Sequence, residues 1–240
     1  MARLLHMKNK TNFEVFIIFS IKKITLSVNR KTDSDIIFQE ETFFENSSMD
    51  LNFEKLNFFL SENILKVEKI LGNFIESVNM IINSRDFLNL QISIKKEDYN
   101  EKINTDILNY LINDAKYQCD KSIKNKRIIH ILIDKYLIDN NHFLDPPINQ
   151  KCKNFSLDIS FICLSEEIIK EIEKNLKRYH ISINKILNAD YVYKLSNSAN
   201  IPFVEMASKI INGYNKNEVN IVSKTLKNKG FFEKFFDLFN

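Results

Sequence analysis

Residues 155–163 read Phe-Ser-Leu-Asp-Ile-Ser-Phe-Ile-Cys. In an extended chain Phe155, Leu157, Ile159, Phe161 and Cys163 point one way and Ser156, Asp158 and Ser160 the other, the period-two pattern of a half-buried strand. Immediately downstream the period lengthens. Ser165 caps a helix that carries Glu166 and Glu167 in its first turn and Lys177 and Arg178 in its last, complementing the helix dipole at both ends. Ile168, Ile172 and Leu176 form its apolar stripe, and Ile181–Ile186 reads as a closing strand. Upstream, Asp145-Pro146-Pro147 interrupts the chain, because proline offers a sheet no amide. Before that break, Arg127–Asp139 is a long and nearly continuous apolar strand. Asn104–Asp120 is a helix with Ile107, Leu111 and Ala115 in line and Asn104 as N-cap, and Leu90, Ile92 and Ile94 mark a strand ahead of it.

The same two periods organise both flanks. Phe13–Phe19, Lys23–Asn29 and Ile36–Phe44 form a meander of three strands, the second with Ile24, Leu26 and Val28 on one face against Lys23, Thr25 and Ser27. Leu56, Phe59 or Leu60, Ile64, Val67 and Leu71 recur at helical spacing, Gly72 stands where a helix C-cap belongs, and Ile75–Ile82 is a strand. After Asn200 a last helix holds Pro202 near its start and Val204, Ala207, Ile210 and Ile211 on its apolar side. The pattern as a whole predicts an α+β protein.

Composition excludes several functions. With 34 basic and 31 acidic side chains the net charge is +3, and Lys-rich patches without interleaved aromatics argue against nucleic acid. There are three glycines in 240 residues, so neither GxGxxG nor a P-loop can be written. Three cysteines, Cys119, Cys152 and Cys163, are expected as free thiols in a reducing, intracellular setting, with Cys163 in the core and Cys152 in a loop. The longest apolar run, Val15–Ile21, is short of the roughly 20 residues that a membrane-spanning helix needs.

No catalytic or metal-binding constellation emerges. His6, His130, His142 and His180 have no ligand spacing, and His130, within an apolar strand, is expected to be a hydrogen-bonded structural histidine. Asp134, Asp139, Asp145 and Asp158 share no pocket that strand alternation can supply. The chain is therefore expected not to be an enzyme and to need no cofactor and no metal.

The C-terminal residues carry the strongest functional signal. At about 100° per residue, Phe231, Phe232, Phe235, Phe236, Leu238 and Phe239 fall in one arc of about 160°, and Glu233, Lys234 and Asp237 take the remainder. Residues 215–229 before them form a basic linker with Lys224, Lys227 and Lys229. A short aromatic-faced helix with a basic flank suits a bilayer interface, and Lys234 adds to that flank. Packing of the helix onto the protein's own core, or into a partner's groove, is the competing reading.

Across residues 88–187 the order of elements resembles the strand-helix-strand-strand (SHS2, or 1C) insert domain of the bacterial cell-division family FtsA. His130–Asp139 resembles the family's strand ending in an acidic turn, Asp145-Pro146 its Asp-Pro loop, and Leu157-Asp158-Ile159 its Leu-Glu-Val-type strand. Phe13–Val28 resembles the first hairpin of the family's actin-like domain, residues 51–83 the helix and strand entering the insert, and Asn200–Gly213 that domain's last helix. Gly230–Phe236 resembles its C-terminal membrane-targeting helix. The resemblance implies a reduced actin-like (ribonuclease-H-like, 1A-like) subdomain at 13–87 and 187–214, an SHS2/1C insert at 88–186, a linker at 215–229 and an amphipathic helix at 230–240, after an irregular or over-called start at 1–12.

Where the family carries an Asp-Ile-Gly phosphate motif this chain has Ile18-Phe19-Ser20-Ile21, and its later nucleotide-binding segments have no counterpart between Asn188 and Ile201. The second half of the actin-like fold is expected to be absent. The resemblance thus implies a non-enzymatic adaptor in cell division and septum formation, peripheral on the cytoplasmic side of the inner membrane at the division site. Its implied partners are inner-membrane lipid, FtsZ, FtsN and further copies of itself. A PilM-like pilus-assembly component and a soluble interaction scaffold are the alternatives.

Overall fold

The computed structural model describes residues 12–32, 35–45, 49–139 and 141–219. They form a mixed α+β structure with two sheets and five helices among the described residues. The chain divides into two compact units, one drawn from Met1–Arg85 and Glu171–Asn212, the other from Asp86–Lys170 and Gly213–Asn240.

In the first unit, β1 (Phe13–Ser20), β2 (Lys23–Arg30) and β3 (Ile36–Phe43) make the antiparallel meander that the alternation predicts. Helix α1 (Phe53–Leu71) then returns the chain so that β4 (Ser77–Asn83) lies parallel to β1. The Asn52 side chain accepts from Lys55 N at 2.9 Å to start α1, and Gly72 ends it at φ 63°, a left-handed conformation that costs glycine no Cβ clash. Leu56, Phe59, Leu60, Ile64 and Val67 are buried, and Phe53 meets Phe19 edge-to-face with ring centroids 5.7 Å apart. β9 (Ser182–Asn188) completes the sheet, whose order is β3-β2-β1-β4-β9. That order joins an antiparallel meander to two parallel pairs, β1 with β4 and β4 with β9.

Three expectations change here. β9 pairs in parallel with β4, from Ser77↔Ser182 to Ile82↔Asn188, so it belongs to the first sheet and not to an insert spanning 88–186. The boundary falls inside α3 (Glu166–Lys177), between Lys170 and Glu171. Alternation identifies a strand but does not say which sheet it will join. Second, α4 (Ala189–Ala199) occupies a stretch where the sequence reading has no element. Its cap is Asn188, accepting from Tyr191 N at 2.8 Å, and its end is Asn200 at φ 53°, an asparagine in the place where glycine is the usual signal.

Third, β2 is buried on both faces. Thr25, Ser27 and Asn29 lie inside along with Ile24, Leu26 and Val28. Ser208 of α5 (Phe203–Ile211) donates to Glu14, which pairs with Asn29, so α5 reaches the sheet beside the end of that polar face. Ser27 Oγ donates to Asn29 Oδ1 at 2.6 Å, whereas Thr25 Oγ1 has no partner among the described residues. Leaving a buried hydroxyl unbonded costs about 1–3 kcal/mol, so Thr25→Val is expected to be neutral or to stabilise by about 1 kcal/mol in urea denaturation. A loss of stability of that size would show that the hydroxyl has found a partner.

The second unit runs β5 (Leu88–Lys96), α2 (Thr105–Ser122), β6 (Lys126–Ile138), β7 (Asn141–Phe143) and β8 (Phe155–Ser165). Its sheet order is β5-β8-β6-β7, antiparallel throughout. Phe155, Leu157, Ile159, Phe161 and Cys163 are fully buried, as their alternation predicts, against Ile107, Leu111, Ala115 and Cys119 of α2. Asn104 caps α2 by accepting from Ile107 N at 3.0 Å.

The described part of the expected linker is not loose. Residues 217–219 pair antiparallel with β6: Ile133 N donates to Asn217 O at 2.8 Å and Val219 N to Ile131 O at 2.9 Å. Val219 is buried in this unit's core. Three residues of pairing are too few to leave a periodic trace in sequence. Residues 220–229, and the helix expected at 230–240, lie outside the described residues.

Candidate functional site

All ten residues expected to face a membrane, Lys224, Lys227, Lys229, Phe231, Phe232, Lys234, Phe235, Phe236, Leu238 and Phe239, lie outside the described residues. What the structure places is the segment leading to them. Glu218 sets its carboxylate 2.7 Å from Nδ1 of His130, whose side chain is almost wholly buried. His130 is thus a hydrogen-bonded structural histidine, and its partner is a residue 88 positions away that no local pattern could identify. His142 lies on β7, and His180 takes φ 59° in the turn that follows α3.

The β1–β2 turn is where the actin-like resemblance puts a phosphate loop. Here the Ser20 hydroxyl donates to Lys23 O at 2.8 Å and accepts from Lys23 N at 3.0 Å. The turn is therefore closed by its own side chain, and the Lys23 amide is already engaged.

The four aspartates do not converge on one pocket. On the open face of the second sheet, Asp134 accepts from Ser160 at 2.5 Å and Asp158 from Ser93 at 2.6 Å. Asp139 instead holds the chain before β8, accepting from Lys153 N at 3.2 Å and Asn154 N at 2.7 Å. Asp145, together with burial, pushes the Tyr136 phenol up, burial having the larger effect. Among the described residues no three His, Cys, Asp or Glu side chains are grouped so as to hold a metal ion.

The cysteines are free and all three are buried, including Cys152, whose loop folds inward. Burial pushes Cys119 up to about 12, with the neighbouring Cys163 thiol adding to the shift, and burial also raises Cys152 and Cys163. Because the thiolate is the reactive form, none of the three is expected to react with Ellman's reagent at about pH 8 until denaturant is added. A thiol titrating in the native protein would contradict this burial.

Sequence reasoning missed one surface feature. Tyr110 and Tyr117, seven residues apart on α2, are both more than half exposed. Lys96 Nζ lies 5.8 Å from the Tyr110 ring centroid, which puts this flank of α2 on the side of β5. Tyrosines at i and i+7 outside the buried stripe were the available signal.

No protein-family model matches the chain, and no curated protein matches it. Among solved structures it is similar to the cytoplasmic domain of EpsL, an inner-membrane component of the type II secretion system of Vibrio cholerae. That match has 10% identity and a TM-score of 0.40, and covers 75% of this chain and 58% of the other. It is also similar to a chain of the PilM–PilN type IV pilus biogenesis complex (8%, TM-score 0.46, covering 77% and 50%). A third is a Bacteroides thetaiotaomicron protein with an actin-like ATPase fold and unknown function (12%, TM-score 0.36, covering 82% and 60%). The chain spans between 50% and 60% of the length of these structures. The two with a named setting come from secretion and pilus assembly, not division. Among the described residues no helix is long and apolar enough to cross a membrane.

Proposed function

We propose that this chain is a non-enzymatic adaptor of the FtsA type. It attaches peripherally to the cytoplasmic face of the inner membrane through residues 230–240 and links division proteins through its folded units. The observation that carries the reading is the amphipathic arc in the sequence, with five of the chain's twenty phenylalanines in its last ten residues. Each large apolar side chain contributes about 1.5–3 kcal/mol when fully buried, and partial insertion reduces this to weak, reversible binding. Multiple copies on one surface would strengthen it.

Two further features support an adaptor over an ATPase. The turn at Ser20–Lys23 satisfies its own polar groups, and the chain has too few glycines to wrap a phosphate. In this reading the strand-helix-strand-strand insert supplies contacts to FtsN or to neighbouring copies.

Co-pelleting of the full chain with FtsZ polymers, with and without vesicles of anionic lipid, tests the proposal. The chain is expected to pellet with vesicles alone and to carry FtsZ down with them. A chain that stays in the supernatant with vesicles is a soluble scaffold. Capture with pilus-assembly proteins in place of FtsZ would move it to the PilM-like reading.

A further inference from the structure

An α-helix is about 10 Å across and strands lie about 4.8 Å apart, so one helix covers about two strands of a sheet. The second sheet has four, and among the described residues α2 is the helix packed on its inward face. Burial across that face follows the shortfall. On β8 the inward side chains from Phe155 to Cys163 are fully buried, and on β6 Ile131, Ile133 and Tyr136 are nearly so. On β5, Ile94 is buried, Leu90 and Ile92 are half-buried and Leu88 is 38% exposed.

Helix α2 raises the other wall of this trough. Tyr110, Asp114, Tyr117 and Lys121 recur at i, i+4, i+7 and i+11, so they share one flank. Lys96 of β5 lies by Tyr110, so this is the flank turned towards β5. Both tyrosines are more than half exposed, and Lys121 Nζ stands 4.3 Å from the Tyr117 ring centroid. The trough is apolar at its base and aromatic on one side, and its charges follow the order Lys96, Asp114, Lys121.

The chain's own C-terminal residues match it in three respects. The first is length: Tyr110 to Tyr117 and Phe232 to Phe239 are each seven residues, about 10.5 Å of helix. The second is charge: Glu233, Lys234 and Asp237 are opposite in sign, in order, to Lys96, Asp114 and Lys121. The third is reach. Residues 217–219 run antiparallel to β6, hence towards Lys126. Ile128 and Leu88 both stand opposite Cys163, so the chain leaves at the end of the sheet where β5 begins. Residues 220–230 span up to about 36–40 Å when extended, against about 14 Å for the three strand spacings to β5.

We propose that the trough between α2 and β5 stores the helix of residues 231–239 when no membrane is present, and that lipid competes for the same apolar face. The contact is autoinhibitory. It deepens the membrane reading and rests on it, since a stored tail binds vesicles only in the fraction of molecules where it is free.

Tyr110→Ser with Tyr117→Ser strips one wall of the trough without touching the core or the tail, and circular dichroism checks that the variant folds. In the full chain without lipid, hydrogen exchange at residues 231–239 is expected to be about tenfold faster in this variant. Its affinity for anionic vesicles should rise by about the same factor, because both readouts report one storage equilibrium. Tyr110→Phe with Tyr117→Phe, which keeps the rings, should leave both unchanged. A tail that exchanges freely in the unsubstituted chain, or vesicle binding that the serine pair leaves unchanged or weakens, would overturn storage while the membrane reading stands. Protection that grows with protein concentration from about 1 to about 100 µM would give the trough to a second copy's tail and overturn it likewise. A protected tail on a chain that never pellets with vesicles would overturn the release and the membrane reading together.

Discussion

Replacing Phe232 and Phe236 together by glutamate is expected to abolish cosedimentation of the full chain with anionic vesicles. The two residues stand at i and i+4 within the apolar arc, so both charges would enter the same face. Each substitution removes an apolar contribution of about 1.5–3 kcal/mol at full burial and adds a carboxylate facing an anionic surface. Changing Lys224, Lys227, Lys229 and Lys234 to glutamine should act differently. Each contributes about 1 kcal/mol near the surface, so binding should weaken and lose its salt dependence without vanishing. Undiminished binding of the double phenylalanine variant would remove the anchor, and the adaptor proposal with it.

Phe161→Ala should produce the largest loss of stability. Phe161 is fully buried on β8, the inner strand that pairs with both β5 and β6, opposite Leu90 on one side and Ile131 on the other. Deleting such a ring costs about 3–5 kcal/mol, a large part of the roughly 5–15 kcal/mol that holds a domain folded. Hydrogen exchange locates the loss. If the two units are separate cores, protection should fall in β5, β6, β8 and α2 and persist in β1, β2 and β4. Equal loss in both would make them one cooperative unit. Tyrosine fluorescence can follow the urea transition, as the chain has eight tyrosines and no tryptophan.

How much of this was legible in the sequence depends on how local each signal is. The run at 155–163 set its own strand and burial, because a period of two determines which side chains face inward whichever strands lie alongside. The stripe of α1 and its Gly72 cap, and the Asn104 cap of α2, rest on neighbours three to four residues apart. His130 reads as buried and bonded from its apolar strand alone.

Other features needed the folded chain. That β9 joins β4, that Glu218 reaches His130, and that Thr25, Ser27 and Asn29 are buried all depend on residues far apart along the chain. The amino-acid order by itself determined most of the elements, the buried stripe of α1 and the inward face of β8, and the aromatic arc of residues 231–239. Only the tertiary structure decided which strands share a sheet and where one unit gives way to the other. The physical reason is range: periodicity and capping act over a few residues, whereas sheet partnership is chosen by hydrogen bonds between segments that the sequence does not place side by side.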